Sequence, residues 1–174
     1  MKIKLPVTLA IIALGMQLKA QTIAAVRGMA VGSTVTVKGI VLNGSELGNI
    51  RYVQDATAGI SLYGSNLSAV KRGDSIVATG TLTNYNNLLE VTPITTFNVP
   101  VSGRPLPTPV VLTPTQMSNT NQAEMMRMNG ATFTLGGGTF SGNTNYTVTA
   151  SGQTGQVRIN TASSLVGQVI PTGA

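Results

Sequence analysis

The sequence contains no histidine, no cysteine and no tryptophan among its 174 residues. Without histidine and cysteine, the chain lacks the commonest general base, the thiolate nucleophile, any disulfide and the usual zinc ligands. Charged residues make up only 9% of the chain, and its five carboxylates lie singly, with no D-x-D or E-x-x-E pair for a metal ion or for acid–base catalysis. These absences predict a protein that is not an enzyme and uses no cofactor and no metal.

What the chain does contain favours strands. It has 20 glycines and a hydrophobic fraction of 42%, together with many threonine, serine, asparagine and valine residues. β-branched side chains suit strands, and glycine, serine and asparagine suit turns, whereas solvated helices need more charge. We therefore expect an all-β protein that is stabilised by packing.

The first twenty residues have the pattern of a secretory signal peptide. Lys2 and Lys4 precede the apolar run 5–16, and Ala20 is a small residue before the expected cut. The run is shorter than the roughly 20 residues of a membrane-spanning helix, although a membrane anchor is the alternative. We expect cleavage after Ala20, no membrane attachment afterwards, and a periplasmic, cell-surface or extracellular location.

Removal of this leader changes the charge balance. Eight of the eleven basic residues and all five acidic residues remain, which gives a net charge of +3 instead of +6. This net charge is small. The isoelectric point near 10.1 includes the leader and therefore overstates the case for nucleic-acid binding.

Residues 21–99 contain a short helix signal and five strand-like runs. Thr22 is placed to cap the helix, which we expect to cover one end of a barrel. The runs are TVTVKGIVL, IRYVQ, GISLYG, SIVATGTL and LLEVTPI, the last ending near Pro93. Gly39 and Gly80 interrupt the two long runs, and glycine permits the sharp coiling that closes a small barrel. The order predicts a five-stranded OB-fold Greek-key barrel, with a β-sandwich as the rival.

Four stretches of this region, TVTVKGIV, YVQDATAGISLYG, VKRGDSIVATGTL and NNLLEV, together resemble a family of bacterial secreted OB-fold domains. These domains of unknown function occur in surface proteins of Bacteroidota-type bacteria, and similar modules precede secreted nucleases and phosphoesterases. The resemblance covers about residues 22–97. It implies the OB-fold and a binding role, with nucleic acid favoured as the ligand.

Residues 100–124 hold five of the eight prolines and predict an extended linker. In residues 125–174 the run 126–133 is similar to 35–42, with Gly130 in the place of Gly39. Residues 145–160 are similar to strands two and three of the barrel, with Tyr146 in the place of Tyr52. The fourth and fifth strands are missing, and natural proteins avoid such unpaired edges. We expect a second, incomplete OB-like β unit that is truncated, with downstream domains in a longer chain; a small open sheet packed on the first barrel is the alternative.

OB-folds bind oligonucleotides or sugars across strands two and three and the adjoining loops. On that surface we expect Lys38 and Arg51 to meet phosphates, Tyr63 and Tyr85 to stack on bases, and Asn86 to contribute a loop amide. The partner is single-stranded nucleic acid or a polysaccharide, and the lack of tryptophan counts modestly against sugars. The alternative functions are a structural spacer or scaffold domain of a larger cell-surface protein and an accessory domain of a secreted nuclease.

The turn between strands two and three, QDATAG, raises the question of a site. Asp55 is placed to accept backbone N–H groups, and we expect Gly59 to adopt a positive φ. A calcium site would need further oxygen ligands, and Asp55 is the single acid there, so we interpret the stretch as a structural turn. The sequence KRGD, residues 71–74, is likewise interpreted as a solvated turn and not as an adhesion motif.

Overall fold

Strands dominate the computed structural model, which describes residues 20–173. The predicted signal peptide falls outside this range except for Ala20. Across the described residues, no helix has the length and apolar character needed to cross a membrane. The expectation of an all-β protein is confirmed for this range, where one five-residue α-helix and four short 3-10 turns are the helical elements.

Residues 20–101 contain one α-helix, α1, and five strands. Helix α1 spans Ile23–Arg27, and Thr22 caps it as expected, its side chain accepting a hydrogen bond from the backbone N–H of Ala25. The strands are β1 (Thr34–Val41), β2 (Ile50–Gln54), β3 (Gly59–Tyr63), β4 (Ser75–Tyr85) and β5 (Leu88–Val101). Two 3-10 turns lie in the connections, at Ser45–Leu47 and Ser65–Leu67.

These five strands form a closed barrel with the order β1-β2-β3-β5-β4. Strand β1 pairs antiparallel with both β2 and β4, β2 pairs antiparallel with β3, and β3 pairs in parallel with β5. The antiparallel pair β4–β5 completes the barrel. This five-stranded arrangement is the OB-fold that the sequence predicts.

Closure depends on the bend of β1. Residues 34–40 pair with β4, while Ile40 and Val41 pair with β2, so β1 changes partner just after Gly39. A Cβ atom at Gly39 would lie only 2.6 Å from the carbonyl oxygen of Gln54. Glycine therefore lets β2 lie close against β1 at this point. The change of partner at Gly39 agrees with the sharp bend that the sequence predicts there.

Strand β5 is longer than predicted. It continues through Pro93 to Val101, and the pairing with β4 shifts register on both sides of Gly80. Gly80 pairs with Ile94 and Leu82 with Val91, so Thr92 and Pro93 form a bulge. Proline has no N–H to donate, and a bulge is where a strand tolerates it. The prediction that the strand ends near Pro93 was wrong for this reason.

The barrel interior is filled by the inward positions of the five strands, and both ends are covered. Ile23 and Val26 of α1 are fully buried in the same core, so α1 covers one end, as expected. Leu67 and Val70 of the connection between β3 and β4 are buried in this core as well. The inward strand residues are Val35, Val37, Val41, Val53, Ile60, Leu62, Ile76, Ala78, Leu82, Val91 and Ile94.

The predicted linker is not a free connector. Strand β5 occupies its first two residues, and β6 (Val110–Val111) pairs in parallel with β7 (Met126–Arg127). Two further 3-10 turns lie between these strands, at Pro114–Gln116 and Asn119–Asn121. The chain here folds back onto the barrel.

The remaining residues form a small sheet with the order β10-β9-β8, which matches the succession of β1, β2 and β3 in the barrel. Its strands are β8 (Thr132–Phe133), β9 (Thr144–Ala150) and β10 (Gln153–Ile159). Tyr146 is buried in an aromatic cluster, with its ring centroid 5.0 Å from that of Phe140. Gly130 does not repeat Gly39: it lies in a turn before β8 with φ of 59°, so the predicted single strand 126–133 is two short strands.

Candidate functional site

Four of the five predicted ligand residues are exposed, but they lie on different parts of the barrel. Tyr63 is 46% exposed at the end of β3, and Tyr85 is 64% exposed at the end of β4. Asn86 follows Tyr85 in a two-residue hairpin turn, where Asn86 and Asn87 both have positive φ, as a type I′ turn requires. Lys38 is exposed on β1 and lies beside a separate cleft.

The fifth predicted ligand residue, Arg51, is buried and faces the barrel interior. Its side chain is 0% exposed. The guanidinium donates to the carbonyls of Val70 at 2.9 Å, of Gly48 at 2.7 Å and of Leu67 at 3.1 Å, with further bonds to Ile50 and Ser68. Burial lowers the pKa of Arg51 from its ordinary value, and the negative charge of Glu46 acts in the opposite direction. The prediction that Arg51 meets phosphates was wrong, because its donors hold together two loops of the barrel.

The Asp55 turn is structural, as interpreted from the sequence. One carboxylate oxygen accepts from the backbone N–H of Ile23 at 2.8 Å, and the other accepts from the N–H groups of Thr57 and Ala58 and from the Thr57 hydroxyl. The Thr57 hydroxyl oxygen also accepts from the N–H of Ala24. The turn thereby anchors α1 to the tip of the β2–β3 hairpin. Gly59 has no positive φ; it is glycine because another part of the chain lies directly against it.

These bonds determine the ionisation of Asp55. Burial acts to raise its pKa, but the hydrogen bonds from Thr57, Ile23 and Ala58 outweigh burial, and the pKa lies below its ordinary value of 3.8. A carboxyl whose pKa is depressed by folding stabilises the fold above its unfolded pKa. That stability is lost as the pH falls through the folded pKa.

Replacing Asp55 with asparagine is therefore expected to lower the free energy of unfolding at pH 7 by about 1–3 kcal/mol, since charge-assisted hydrogen bonds are lost. The difference from the wild type should narrow when both are unfolded in urea near pH 3, because this pH lies below the ordinary carboxyl pKa of 3.8 and part of the stability that the depressed pKa contributes is then lost. Gln156→Ala, at an exposed and uncharged side chain of β10, is the control and should differ little from the wild type at both pH values. If the free energies of unfolding of Asp55→Asn and the wild type differed by the same amount at both pH values, this account would be contradicted.

The outer surface of β2, β3 and the start of β5 is the part of an OB-fold on which ligands are expected. We call its six positions Tyr52, Gln54, Gly59, Ser61, Leu88 and Glu90 the outer face. Tyr52 pairs with Ser61, and Ser61 with Glu90, so these positions are cross-strand neighbours. Ser61 is 0% exposed and Glu90 is 7% exposed, and burial raises the pKa of both Tyr52 and Glu90. A solvated sheet face would not be buried in this way.

Residues 119–126, which we call the crossing segment, lie over this face. The side-chain amide of Gln122 accepts from the N–H of Leu89 at 3.2 Å and donates to the carbonyl of Asn87. The N–H of Met125 donates to the side-chain oxygen of Gln54 at 2.8 Å. A cavity of about 360 Å³ remains between the crossing segment and Leu42, Asn43, Tyr52 and Leu88. No local pattern in the sequence predicts this contact, since the prolines indicate only a linker.

A second cleft, of about 690 Å³, lies beside β1. Lys38 and Arg104 line it, together with Gln21, Asp55, Thr57 and the apolar side chains of Ile40, Val101 and Leu106. The volume is within the range of small-ligand sites. No sequence motif marks Arg104 as a ligand residue, because it lies in the proline-rich stretch.

The KRGD sequence does not display an adhesion motif. Asp74 is 5% exposed, and its carboxylate accepts from the N–H of Lys71 at 2.8 Å. Gly73 has φ of 86°, which suits a tight turn into β4. The interpretation as a turn is confirmed, but only Lys71 and Arg72 are solvated, since Gly73 and Asp74 are buried. In the range 20–173, no three acidic side chains lie together as metal ligands would.

Comparisons with known proteins add little to this description. No protein-family model matches the sequence, and no curated protein matches it. The solved structure titled "Structure of the hypothetical protein ygiW from E. coli" is similar over 47% of this chain and 89% of that chain, with 15% identity and a TM-score of 0.39. The OB-fold assignment therefore rests on strand order and closure.

Proposed function

We propose that the barrel is a non-catalytic, exported OB-fold module that binds single-stranded nucleic acid. The observation that carries the proposal is the exposure of two tyrosine rings, Tyr63 and Tyr85, in a chain with only seven aromatic residues. Exposed aromatic rings on an OB-fold stack on bases without regard to sequence.

The placement of the two rings suits a single strand. The pairing registers put Tyr63 and Tyr85 four residue positions apart along the strands, on β3 and β4, which both border β5, so a ligand that contacts both rings would cross β5 on the curved barrel surface. Such a path lies within the footprint of roughly 4–16 nucleotides that one OB-fold covers. The exposed Lys38 and the net charge of +3 after loss of the leader favour a polyanion, although weakly.

Export is proposed from the leader pattern, and the structure is compatible with the expected cut. Gln21 forms a β-bridge with Val37, and its N–H donates to the carbonyl of Thr36. Ala20, in contrast, is exposed and precedes the bridge. Cleavage after Ala20 would therefore leave the folded barrel intact.

Single-ring variants test the binding role. Each of Tyr63→Ala and Tyr85→Ala is expected to weaken binding of a labelled oligothymidylate by about 5- to 100-fold, because each base–ring stack contributes about 1–3 kcal/mol. The measurement is fluorescence anisotropy at low salt, with a repeat at higher salt to detect phosphate contacts. Tyr63→Phe and Tyr85→Phe keep the rings and should bind like the wild type.

Two results would contradict the proposal. Absence of binding at low salt would remove nucleic acid as the ligand. Binding of a soluble polysaccharide that is lost in the same alanine variants would assign the face to sugars instead.

The second candidate is a structural spacer or scaffold in a larger surface protein, which needs no ligand. The crossing segment favours it, because the chain itself buries the outer face and links the barrel to the β8–β10 sheet. A longer reading frame with an adhesion array downstream would support this candidate. A downstream nuclease domain would support an accessory substrate-binding role.

A further inference from the structure

The contact between the crossing segment and the outer face is specific. A Cβ atom at Gly59 would lie 2.8 Å from the carbonyl oxygen of Gln122 and closer still to that of Ala123. Because those atoms belong to the backbone, only glycine at position 59 lets the segment lie so close. Ala123 itself has φ of 60°, a conformation that non-glycine residues rarely adopt without a reason.

The polar contacts that hold the segment come from three side chains. Gln122 bonds to backbone groups at the start of β5, Gln54 accepts from Met125, and Arg27 of α1 donates to the carbonyls of Asn119 and Gln122. The structure shows no ladder pairing between the crossing segment and any barrel strand within the described range. Side-chain hydrogen bonds of this kind contribute about 0.5–1.5 kcal/mol each, so the attachment is modest.

One group beneath the outer face is unsatisfied while the segment is in place. The Ser61 hydroxyl is fully buried and has no hydrogen-bond partner in the described range. Its neighbour across the parallel pair is Glu90, whose pKa burial raises. Buried polar groups without partners cost free energy, and exposure of the face to water or to a ligand would relieve that cost.

We propose that the crossing segment is a built-in cover of the ligand face, and that single-stranded nucleic acid binds by displacing residues 119–126. The inference rests on the proposed function and concerns regulation of the same site. The segment lies at the Tyr85 end of the face, against Asn87, Leu89 and Gly59, while Tyr63 at the other end remains exposed. A ligand can therefore first contact Tyr63 and then compete for the covered part. Because of this competition, the apparent association constant equals the association constant of the open face multiplied by the fraction of molecules in which the face is open.

The test compares three variants with the wild type, using a labelled oligothymidylate of about ten nucleotides. In the first variant, residues 119–125 are replaced by a glycine–serine sequence of equal length, which keeps the chain connected and removes the cover. The second variant, Gln122→Ala, removes the contacts to Leu89 of β5 and to Asn87 of the preceding turn without changing the backbone. The third, Gln156→Ala, is a matched control at an exposed glutamine of β10.

We expect the variant with the replaced segment to bind the oligothymidylate at least about tenfold more tightly than the wild type does. The affinity of Gln122→Ala should be intermediate, and that of Gln156→Ala should equal that of the wild type. Ligand should also speed trypsin cleavage after Arg127 in the wild type, because displacement frees the adjoining chain. Circular dichroism and urea unfolding establish that each variant is folded, and Gln122→Ala decides the question if the replaced segment does not fold.

The outcomes separate the inference from the proposed function. If the wild type and the uncovered variants bound the oligothymidylate with equal affinity, the inference that the crossing segment is a cover would be overturned, and the proposed binding function would stand. Weaker binding by a folded uncovered variant would overturn it as well, since the segment would then belong to the site. Absence of binding in every variant would overturn the proposed function and the cover together.

Discussion

Replacing Arg51 with alanine is expected to lower the free energy of unfolding by about 3–5 kcal/mol, which is a large part of the total stability of a small domain. The guanidinium is 0% exposed and donates to five backbone carbonyls, those of Gly48, Ile50, Leu67, Ser68 and Val70. Alanine removes all five bonds, although the carbonyls of Leu67 and Ile50 keep other donors, the N–H of Val70 and the side-chain amide of Asn43. It also opens a cavity, and both the lost bonds and the cavity are destabilising. Urea unfolding followed by circular dichroism measures the loss.

Two further variants make the result specific to the buried guanidinium. Arg51→Lys keeps the charge and three donors, so it should recover about half of the loss. Arg72→Ala removes an exposed arginine of the same barrel and should change stability by less than about 0.5 kcal/mol. If Arg51→Ala and Arg72→Ala unfolded at the same urea concentration, the role assigned to Arg51 would be refuted.

Arg51 also shows where sequence reasoning about the site stops. Alternation along IRYVQ puts Arg51 on the same face as Val53, and the structure places both toward the interior. The residue type nevertheless favours exposure, because a buried arginine is stable only when hydrogen-bond acceptors surround its guanidinium. Two of those carbonyls belong to the neighbouring Gly48 and Ile50, but the other three belong to residues 67–70, and no local pattern in the sequence brings that connection to Arg51.

The barrel was predictable because its signals are local. Five runs of strand-forming residues, two interrupting glycines and a capped helix before β1 each follow from short-range preferences, and all are present in the structure. The bulge at Pro93 was not predictable, because the length of β5 is determined by pairing with β4 as far as Ser75 and Val101. The crossing segment was missed for a similar reason: Gly59 and Ala123 meet only in the fold.

The closure of the barrel leads to the second large effect. Replacing Gly39 with alanine is expected to destabilise the protein by about 2–3 kcal/mol, as overpacking at a tight contact does. The new Cβ would lie 2.6 Å from the carbonyl oxygen of Gln54 and 2.7 Å from Cγ1 of Val53. The contacting oxygen of Gln54 belongs to the backbone and cannot rotate away. Strands β1 and β2 would therefore have to separate at the point where β1 changes its pairing from β4 to β2.

Gly80 allows an independent test of the same overpacking effect, since a Cβ atom at this position would lie 2.5 Å from the carbonyl oxygen of Pro93. Gly80→Ala should therefore cost about as much as Gly39→Ala, when both are compared by urea unfolding. Gly28→Ala is the matched control, because the nearest atom to its Cβ is 3.5 Å away and its φ is −89°. Equal stability of all three variants would mean that the strands do not approach each other at Gly39 and Gly80, and the closed barrel would then lose its physical basis.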